Sequence, residues 1–415
     1  MNLLLLNPPV HHYAGVHYRL NPALGLPTLA ATLQQAGHAP QVWDLEAMHV
    51  TPGQLAALFE AQPGHWPDAI GLTYTAHSQR GARETVRALR RIGYDRYIAV
   101  GGPQATVDPQ GPLSWGVNAV VTGEADGNVV DLFETQPTGI IAGQPLPIEQ
   151  IPGPLWAVHK PAPTYYTGNP PHLDKPESIA MWSRGCPHNC TFCANPVYGQ
   201  TKVRRRPVQA VYDDMAALKA LGVKCVFVYD DELPGMPGGD EWLMDVCRAI
   251  QPLGMTWKCQ GRCTTKLTRD VLQAMHDAGC RAVMWGVESF SESVLKAMRK
   301  GTNEADIWHT LRLAHECGIG NWLFLMVGNY GETPRDLAYT EQQLSKACAE
   351  GLVQWRQVTV TTPMPGTELY ERAKAEGWLH ESPEAGPQMH QVYQSTPWLK
   401  ERDLRYWHAR LEAVG

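Results

Sequence analysis

Three cysteines lie close together in the segment SRGCPHNCTFCANP, which runs from Ser183 to Pro196. Cys186, Cys190 and Cys193 follow the spacing C-x-x-x-C-x-x-C, which suits a loop that wraps a compact inorganic core. A structural zinc site usually takes four ligands in two separated pairs, and this sequence holds no second C-x-x-C. Three cysteinates on a 4Fe-4S cluster leave one iron free to bind a further molecule. The spacing therefore favours such a cluster over zinc.

Length and composition limit what else the chain does. Its 415 residues suggest two or three domains, and 44% hydrophobic with 18% charged residues is typical of a folded protein. The net charge of -6 gives no general attraction to nucleic acid, and the one dense basic run, Arg204 to Arg206, is predicted to be a solvated surface. No apolar run reaches the ~18 residues of a membrane helix, so we expect a cytoplasmic protein.

The cysteines outside the triplet are predicted to be reduced, because a cytoplasmic protein seldom forms disulfides. Most of them are expected to act as small buried hydrophobic residues. Cys259 and Cys263 share a four-residue spacing but have no further ligands nearby, so a second metal site is not favoured there.

Residues 1–136 alternate short apolar runs with amphipathic stretches. NLLLLN, APQVWDL, DAIGLTY, YIAVGG and VNAVVTG are predicted strands with helices among them. This alternation predicts a parallel, doubly wound, Rossmann-like α/β sheet with its ligand at the carboxyl ends of the strands. No G-x-G-x-x-G follows any strand, so the dinucleotide fingerprint is missing. The residues of interest at these strand ends are Asn7, Pro8, Pro9, Thr73, Thr75, Gly101, Gly102, Gln104, Gly123 and Glu124.

The rest of the chain carries a second α/β pattern. Residues 137–177 are dense in proline and are predicted to be a linker, held in place by Trp156, Tyr165 and Tyr166. Residues 178–365 contain six predicted strands with intervening helices, too few for a complete barrel of eight, which predicts a partial (β/α)6 barrel. The cysteine segment follows the first of these strands, at the end where a barrel displays its reactive groups. Residues 366–415 are predicted to form a short helical C-terminal tail.

RGCPHNCTFCANP resembles the signature of the radical S-adenosylmethionine (SAM) enzymes, in which three cysteines hold the 4Fe-4S cluster. Three further segments are similar to family elements that bind SAM: VYDDE at 228–232, GVES at 286–289 and GNYGET at 328–333. In the last of these, Asn329 and Tyr330 stand where apolar residues or proline are usual. The resemblance implies that SAM is bound by Phe192, Asp230, Asp231, Glu232, Arg262, Glu288, Ser289, Gly328 and Glu332.

Alternatives stay open for several of these residues. The acidic run Asp230 to Glu232 is interpreted as facing the SAM amine, although a solvated strand end or an acidic metal site also suits it. Arg262 is a candidate partner for the SAM carboxylate or for Glu288, and a surface position suits it nearly as well. The tryptophans of the predicted barrel strands either line a cavity or pack in the core: Trp182, Trp257, Trp285, Trp322 and Trp355.

The first half resembles the cobalamin-binding domain that precedes the barrel in one class of radical SAM enzymes, through LLLLNPP, IGLTYTAHS, VGGPQAT and VTGEAD. This resemblance implies that the strand-end residues named above contact cobalamin. The D-x-H-x-x-G loop that supplies a cobalt-binding histidine in classical cobalamin domains is not intact, because Val10 replaces the aspartate before His12 and Gly15. We interpret His12 as a chance match.

Together the two resemblances imply a cobalamin-dependent radical SAM enzyme with a 4Fe-4S cluster, SAM and cobalamin as cofactors. Such an enzyme cleaves SAM reductively to a 5′-deoxyadenosyl radical and, in our main interpretation, methylates an unactivated carbon or phosphorus through methylcobalamin. The alternatives are rearrangement or cyclisation without methyl transfer, radical SAM chemistry without cobalamin, and a non-catalytic cobalamin sensor. The expected partners are a small-molecule or peptide substrate and an external electron donor of the flavodoxin or ferredoxin type, without nucleic acid or membrane.

Overall fold

The computed structural model describes residues 1–10, 22–162, 173–380 and 392–415. His12, Gly15, Tyr165 and Tyr166, which the sequence singled out, lie outside these ranges. The chain forms two compact units. The first comprises Met1–Ile179 and Ala216–Val223, and the second comprises Ala180–Met215 and most of the chain from Lys224 onward.

The first unit is built on a sheet of seven parallel strands in the order β6-β5-β4-β3-β1-β2-β7. The strand order reverses beside β1, and a doubly wound sheet binds its ligands at such a switch point. The strands are β1 Asn2–Asn7, β2 Ala39–Asp44, β3 Ala69–Thr73, β4 Tyr97–Gly101, β5 Ala119–Thr122, β6 Gly139–Ala142 and β7 His159–Lys160. The helices are α1 Gly25–Gln35, α2 Pro52–Ala61, α3 Gln79–Arg91, α4 Pro103–Val107 and α5 Val129–Thr135.

Both faces of this sheet are buried, which explains the continuous apolar runs of its strands. Leu4 and Leu6 pack into one hydrophobic cluster, whereas Leu3 and Leu5 pack into another. Successive side chains of a strand point to opposite faces, so a four-leucine run fills both layers. The predicted doubly wound α/β fold is confirmed.

Part of the predicted linker joins the first sheet. Gly139–Ala142 pairs with β5, and His159–Lys160 pairs with β2, so these short strands form the two edges of the sheet. Buried Trp156 packs against the ring of His159, with 5.5 Å between the ring centroids. The segment lacks a sustained periodicity because an edge strand of two to four residues is too short to show one.

The second sheet has six strands in the order β15-β14-β13-β12-β11-β8, and β11 to β15 run parallel. Each strand from β11 onward lies beside the next one along the chain, which is the arrangement of a partial barrel. The strands are β8 Glu177–Ala180, β11 Cys225–Val228, β12 Thr256–Gly261, β13 Cys280–Glu288, β14 Gly320–Val327 and β15 Trp355–Val360. A separate ribbon pairs β9 Ser183–Arg184 with β10 Arg204–Arg205.

Helices alternate with these strands, as the sequence predicts. They are α6 Val208–Ala220, α7 Asp240–Ile250, α8 Arg269–Asp277, α9 Glu292–Ala297, α10 Glu304–Glu316, α11 Pro334–Ala349, α12 Glu368–Ala375 and α13 Glu401–Ala413. The last helix covers the edge strand β15, since Val358 N donates to Glu412 Oε1 at 2.7 Å and Arg356 Nε donates to the carbonyl of Leu411 at 3.0 Å. An uncovered strand edge would offer unpaired backbone groups to other chains.

Four of the five strand tryptophans pack in the core, whereas Trp355 is half-buried with its ring 5.5 Å from that of Trp322. Trp182, Trp257, Trp285 and Trp322 are fully buried, and Trp182 and Trp257 lie 5.0 Å apart by ring centroids. The Trp285 indole donates to Asn321 Oδ1 at 2.7 Å, which satisfies its polar end inside the barrel. Of the two interpretations of these residues, core packing is the one that the structure supports.

The basic run at 204–206 is not the solvated surface that the sequence predicts. Arg206 is buried and forms an ion pair with Asp214, while the guanidinium of Arg205 lies 5.9 Å from the centre of the Trp242 ring. A buried guanidinium needs a carboxylate partner, and Asp214 lies eight residues further on, in α6. Among the described residues, none of the helices is both long and apolar enough to cross a membrane.

Candidate active site

The three-cysteine segment is a closed loop that starts and ends at the β9–β10 ribbon. Cys186 N donates to the carbonyl of Gln200 at 3.0 Å, and Cys193 N donates to the carbonyl of Cys190 at 3.1 Å. Thr191 fixes the tip of the loop to the barrel, since its N–H donates to Met298 O and its carbonyl accepts from Leu369 N, both at 3.0 Å. The loop is therefore held at its base and at its tip.

The donor set of this loop fits a metal cluster. Cys190 is buried and Cys186 and Cys193 are half-buried. Burial raises the pKa of the Cys186 thiol to about 12 and also raises the pKa of Cys193. Thiols in such surroundings become ligands when a metal supplies the positive charge that stabilises the thiolates.

Glu232 is the charged centre beside this loop. Its Oε2 lies 3.3 Å from His188 Nε2, 3.3 Å from Arg262 Nε and 3.8 Å from Cys186 Sγ. Its other carboxylate oxygen, Oε1, is buried without a hydrogen-bond partner. Burial by itself would raise the pKa of Glu232, but His188 and Arg262 lower it, so the carboxylate is held as an anion.

Arg262 joins Glu232 to the cysteines. The guanidinium Nη2 lies 3.6 Å from Cys190 Sγ, and the side chain is 9% exposed. Of the partners considered for Arg262 from the sequence, Glu288 is not the one that it contacts. The structure pairs Arg262 with Glu232, and a surface position is excluded by its burial.

The other two acidic residues of the VYDDE segment hold the start of the loop. Asp230 accepts hydrogen bonds from Trp182 N at 2.7 Å and from Ser183 Oγ at 2.6 Å, one on each carboxylate oxygen. Burial raises the pKa of Asp230 to about 7. Exposed Asp231 accepts from Gly185 N at 3.1 Å. Asp230 and Asp231 therefore tie the carboxyl end of β11 to the chain that enters the cysteine loop.

Glu288 pairs with a lysine that the sequence analysis did not identify. Lys300 Nζ donates to Glu288 Oε1 at 2.8 Å, and each side chain is 9% exposed. Glu288 ends β13 with a φ of 61°, next to a register shift in the pairing with β14. Gly286 leaves room for this pair, because a Cβ there would lie 2.6 Å from Lys300 Nζ. The same ammonium lies 5.8 Å from the centre of the Phe192 ring.

Two other predicted SAM-binding residues are engaged within the barrel. The Ser289 hydroxyl lies 3.1 Å from Thr340 Oγ1 and accepts from Ser291 N at 3.1 Å. Glu332 is fully buried, and its Oε2 accepts from Gly328 N at 2.6 Å and from Asn329 N at 3.2 Å. This carboxylate folds the GNYGET segment back on itself after β14.

Glu332 gives the protein a specific dependence of stability on pH. Burial raises its pKa from the ordinary 4.5 to about 7. Between these values the folded chain keeps a proton that the unfolded chain has lost, so the contribution is complete below about pH 4.5 and is lost as the pH rises through about 7. We expect Glu332→Gln to gain stability relative to the parent across that window, by up to roughly 3 kcal/mol. A melting-temperature difference that stays constant between acid and neutral pH would contradict this.

In the first unit, the predicted cobalamin contacts gather at the carboxyl edge of the sheet. Asn7 ends β1 and donates its amide to Asp44 Oδ1 at 3.0 Å, so its side chain is partly used by the fold. Thr73 ends β3, and exposed Thr75 caps the short turn that follows through Ser78. Gln104 is buried in α4.

The remaining predicted contacts at this edge, apart from the two prolines, are three glycines and Glu124. Gly101 ends β4, and Gly102 follows with a φ of 98° in a tight turn packed against Thr73. Gly123 N donates to Thr106 Oγ1 at 2.8 Å, just before Glu124. The hydroxyl of buried Tyr74, which the sequence analysis passed over, has no hydrogen-bond partner. A strand-end edge backed by an unpaired hydroxyl fits a broad ligand that is rich in amide groups, such as cobalamin.

Pro9, in the loop that also contains Pro8, packs against Gly81 of α3. A Cβ at Gly81 would overlap the carbonyl oxygen of Pro9, so the NPP loop packs directly on the helix backbone. We expect Gly81→Ala to displace this loop and weaken cobalamin binding by roughly tenfold or more, since the overlap involves backbone rather than a mobile side chain. Spectrophotometric titration with hydroxocobalamin measures the change.

Gly53→Ala is the matched control for that substitution. Gly53 also lies in a helix, but a Cβ there would meet nothing within 4 Å. The control should bind cobalamin as the parent does and be slightly more stable, because alanine is the better helix former. Equal cobalamin affinity of the two variants would overturn the assignment of the NPP loop to the binding edge.

The scattered cysteines lie outside the cysteine loop. Cys225, Cys247, Cys280 and Cys317 are buried, as predicted, whereas Cys348, also expected to be buried, is half-buried. Cys259 and Cys263 are buried as well. Across the part of the chain that the structure describes, one group of histidine, cysteine and acidic side chains has its ligand atoms within 4.8 Å of one another: Cys186, His188 and Glu232. It belongs to the cysteine loop, and Cys259 and Cys263 form no comparable group.

Two family models match the chain. The model described as the radical SAM superfamily matches residues 181–344, and the model described as the B12 binding domain matches residues 13–133. The matched regions follow the order of the two predicted parts of the chain.

Known proteins with similar sequences or folds agree with these matches. An uncharacterized methyltransferase of Pyrococcus horikoshii is 24% identical over 405 residues, which cover 91% of this chain and 84% of that protein. Cytidylyl-2-hydroxyethylphosphonate methyltransferase of Streptomyces wedmorensis is 22% identical over 451 residues, covering 91% and 82%. The structure of the radical SAM methyltransferase TsrM from Kitasatospora setae, with cobalamin and a [4Fe-4S] cluster bound, matches with a TM-score of 0.73 at 17% identity, covering 100% of this chain and 90% of that one.

A B12-binding unit followed by a six-stranded barrel whose first loop carries three cysteines defines a class of enzymes that combine cobalamin with an iron–sulfur cluster. This chain belongs to the cobalamin-dependent radical SAM family. The family predicted from the sequence motifs is thereby confirmed.

Proposed function

We propose that the chain is a cobalamin-dependent radical SAM methyltransferase that methylates an unactivated carbon or phosphorus of a small-molecule substrate. The observation that carries the proposal is the loop of Cys186, Cys190 and Cys193 beside the anionic Glu232, in a chain that also holds a B12-binding unit. Similar proteins named as methyltransferases support methyl transfer over rearrangement, cyclisation or sensing.

The bound cofactors supply one-electron cleavage of SAM and a carrier for its methyl group, and the protein supplies their positions. In this proposal Cys186, Cys190 and Cys193 bind three irons of the cluster. Arg262, at 3.6 Å from Cys190 Sγ, offsets the negative charge of the cysteinates. Cys190 and Arg262 are both buried, which strengthens this charge interaction.

Glu232 is the proposed acceptor for the ammonium group of SAM. Its unpartnered Oε1 has the hydrogen-bonding capacity for a cation, and His188 and Arg262 hold the carboxylate in place through Oε2. A buried acceptor without a partner is costly unless a ligand satisfies it, which supports this role. Asp230 and Asp231 are proposed to act by holding the loop, since their oxygens already accept backbone and hydroxyl donors.

Glu288 is the proposed contact for the SAM ribose, with Lys300 holding its carboxylate in place. Phe192 is proposed to pack beside SAM, where its ring also lies close to the ammonium group of Lys300. Ser289, Gly328 and Glu332 complete the set by shaping the chain after β13 and β14. In the first unit, the strand-end residues between Asn7 and Glu124 are proposed to hold the corrin ring of cobalamin.

Product analysis with isotope-labelled SAM tests the proposal. Anaerobically reconstituted protein would be incubated with hydroxocobalamin, methyl-deuterated SAM, a flavodoxin or ferredoxin type of electron donor, and fractionated small metabolites. We expect a product that carries a trideuteromethyl group on carbon or phosphorus. The Cys193→Ser variant should form none.

Two outcomes would contradict cobalamin-dependent methyl transfer. A product whose mass changes without gain of deuterium would favour rearrangement or cyclisation, and a labelled product formed equally well without cobalamin would favour radical SAM chemistry that does not use it. Methylated peptides, with no reaction among small metabolites, would contradict the proposed substrate class.

A further inference from the structure

Tyr330 occupies an unusual environment in the segment Gly328–Glu332. Its ring stacks on Trp378, with 5.6 Å between centroids and 17° between planes, and the guanidinium of Arg372 lies 4.2 Å from its centre. The edge of Trp398 approaches the same ring at 5.2 Å. Residues from α12 and from the chain beyond it therefore enclose a side chain that belongs to the loop after β14.

The backbone of the same segment is also held from the C-terminal part of the chain. Gln394 is fully buried, and its Nε2 donates to Gly328 O at 2.9 Å and to Thr361 O at 3.2 Å. The Leu404 side chain fills the space beside Gly328, since a Cβ there would lie 2.8 Å from Leu404 Cδ2. We name this set the C-terminal clamp: Arg372, Trp378, Gln394, Trp398 and Leu404.

The helix that carries Leu404 of the clamp is itself bound to the barrel. Helix α13 carries Leu404 and is fixed along β15, where His408 Nε2 lies 3.1 Å from Val358 O and Arg356 donates to the carbonyl of Leu411. Leu404 and Leu411 are both completely buried. The loop is therefore held between the end of β15, where the Thr361 hydroxyl donates to Asn329 Oδ1 at 3.1 Å, and a helix that β15 itself positions.

We propose that the C-terminal clamp positions the Gly328–Glu332 segment to bind the adenosine part of SAM, so that SAM affinity depends on these residues. The inference rests on the proposed function, because it assigns that segment to SAM. Holding a loop in its binding conformation before the ligand arrives removes the entropic cost of ordering it during binding. Tyr330, in place of the usual proline, provides the ring that the clamp holds.

Binding measurements on clamp variants test this inference. We expect Trp398→Ala and Gln394→Ala each to weaken SAM binding by roughly tenfold. The first variant removes an aromatic pair with Tyr330, and the second removes the buried hydrogen bond to Gly328 O. The binding of 5′-methylthioadenosine, which lacks the amino and carboxylate groups of methionine, should weaken by the same factor. A defect in the iron–sulfur cluster, by contrast, would weaken the binding of SAM but not that of 5′-methylthioadenosine.

Tyr406→Ala is the matched control, because Tyr406 is an exposed aromatic residue of α13 whose ring packs on Trp407 rather than on Tyr330. Iron content and far-ultraviolet circular dichroism should be the same for all variants. Trp398 is 38% exposed, so its truncation leaves a folded protein even if Gln394→Ala does not fold.

The outcomes separate the inference from the proposed function. Parent protein that binds SAM, with Trp398→Ala binding both ligands equally well, would overturn the clamp alone. Loss of SAM binding without loss of 5′-methylthioadenosine binding would also overturn it. Cluster-loaded parent protein that binds no SAM would overturn the proposed function itself.

Discussion

Cys190→Ser protein, reconstituted anaerobically with iron and sulfide, is expected to hold no stable 4Fe-4S cluster and to cleave no SAM. Cys190 is the most buried thiol of the loop and the one beside Arg262. A serine hydroxyl binds iron poorly compared with a thiolate, and a cluster with two cysteinates lacks the ligands that hold it. Iron and sulfide analysis, with the absorption of the cluster, measures the loss.

Cys348→Ser is the control for that variant. Cys348 is half-buried in α11 and lies outside the cysteine loop. The Cys348→Ser variant should retain the iron content and the SAM cleavage of the parent protein. If the Cys190 variant kept a full complement of iron, or the Cys348 variant lost it, the assignment of the loop as the cluster site would be wrong.

Lys300→Met is expected to destabilise the fold by about 3–5 kcal/mol, because it leaves the Glu288 carboxylate buried without its partner. Lys300 and Glu288 are both buried, with 2.8 Å between Nζ and Oε1. Burial by itself would lower the pKa of the Lys300 ammonium, but Glu288 raises it. Urea unfolding of the parent and the variant measures the difference in free energy of unfolding.

A double variant separates the ion pair from simple loss of packing. Lys300→Met combined with Glu288→Gln removes both charges and should recover a large part of the lost stability. Lys296→Met, at an exposed position of α9, should change little. If Lys300→Met were no more destabilising than Lys296→Met, the buried pair would not have the role given to it.

The two sheets could be predicted because their strands are buried on both faces and therefore appear as apolar runs. NLLLLN fills two layers of the first sheet, and RAVMWGVE forms the long central strand β13 of the second. The edge strands at Gly139–Ala142 and His159–Lys160 could not be found in this way, since they are short and each contains exposed residues.

The candidate site was predictable where residues adjoin in sequence and not where the fold brings them together. The cysteine spacing located the loop. Lys300, by contrast, reaches Glu288 from the turn after α9, and nothing in the sequence around Lys300 indicates that this lysine is buried. Asp230 and Glu232 are two residues apart in one acidic segment, yet Asp230 accepts a hydrogen bond from Ser183 whereas Glu232 lies beside Cys186. Their different partners depend on the direction of each side chain, which composition does not encode.

Electron paramagnetic resonance of the reduced protein, with and without SAM, tests the central claim most directly. The account predicts four irons and four sulfides per chain and a cluster signal that changes when SAM binds, because three cysteinates leave one iron open to it. Zinc in the loop, or a four-iron signal that SAM leaves unchanged, would contradict the account.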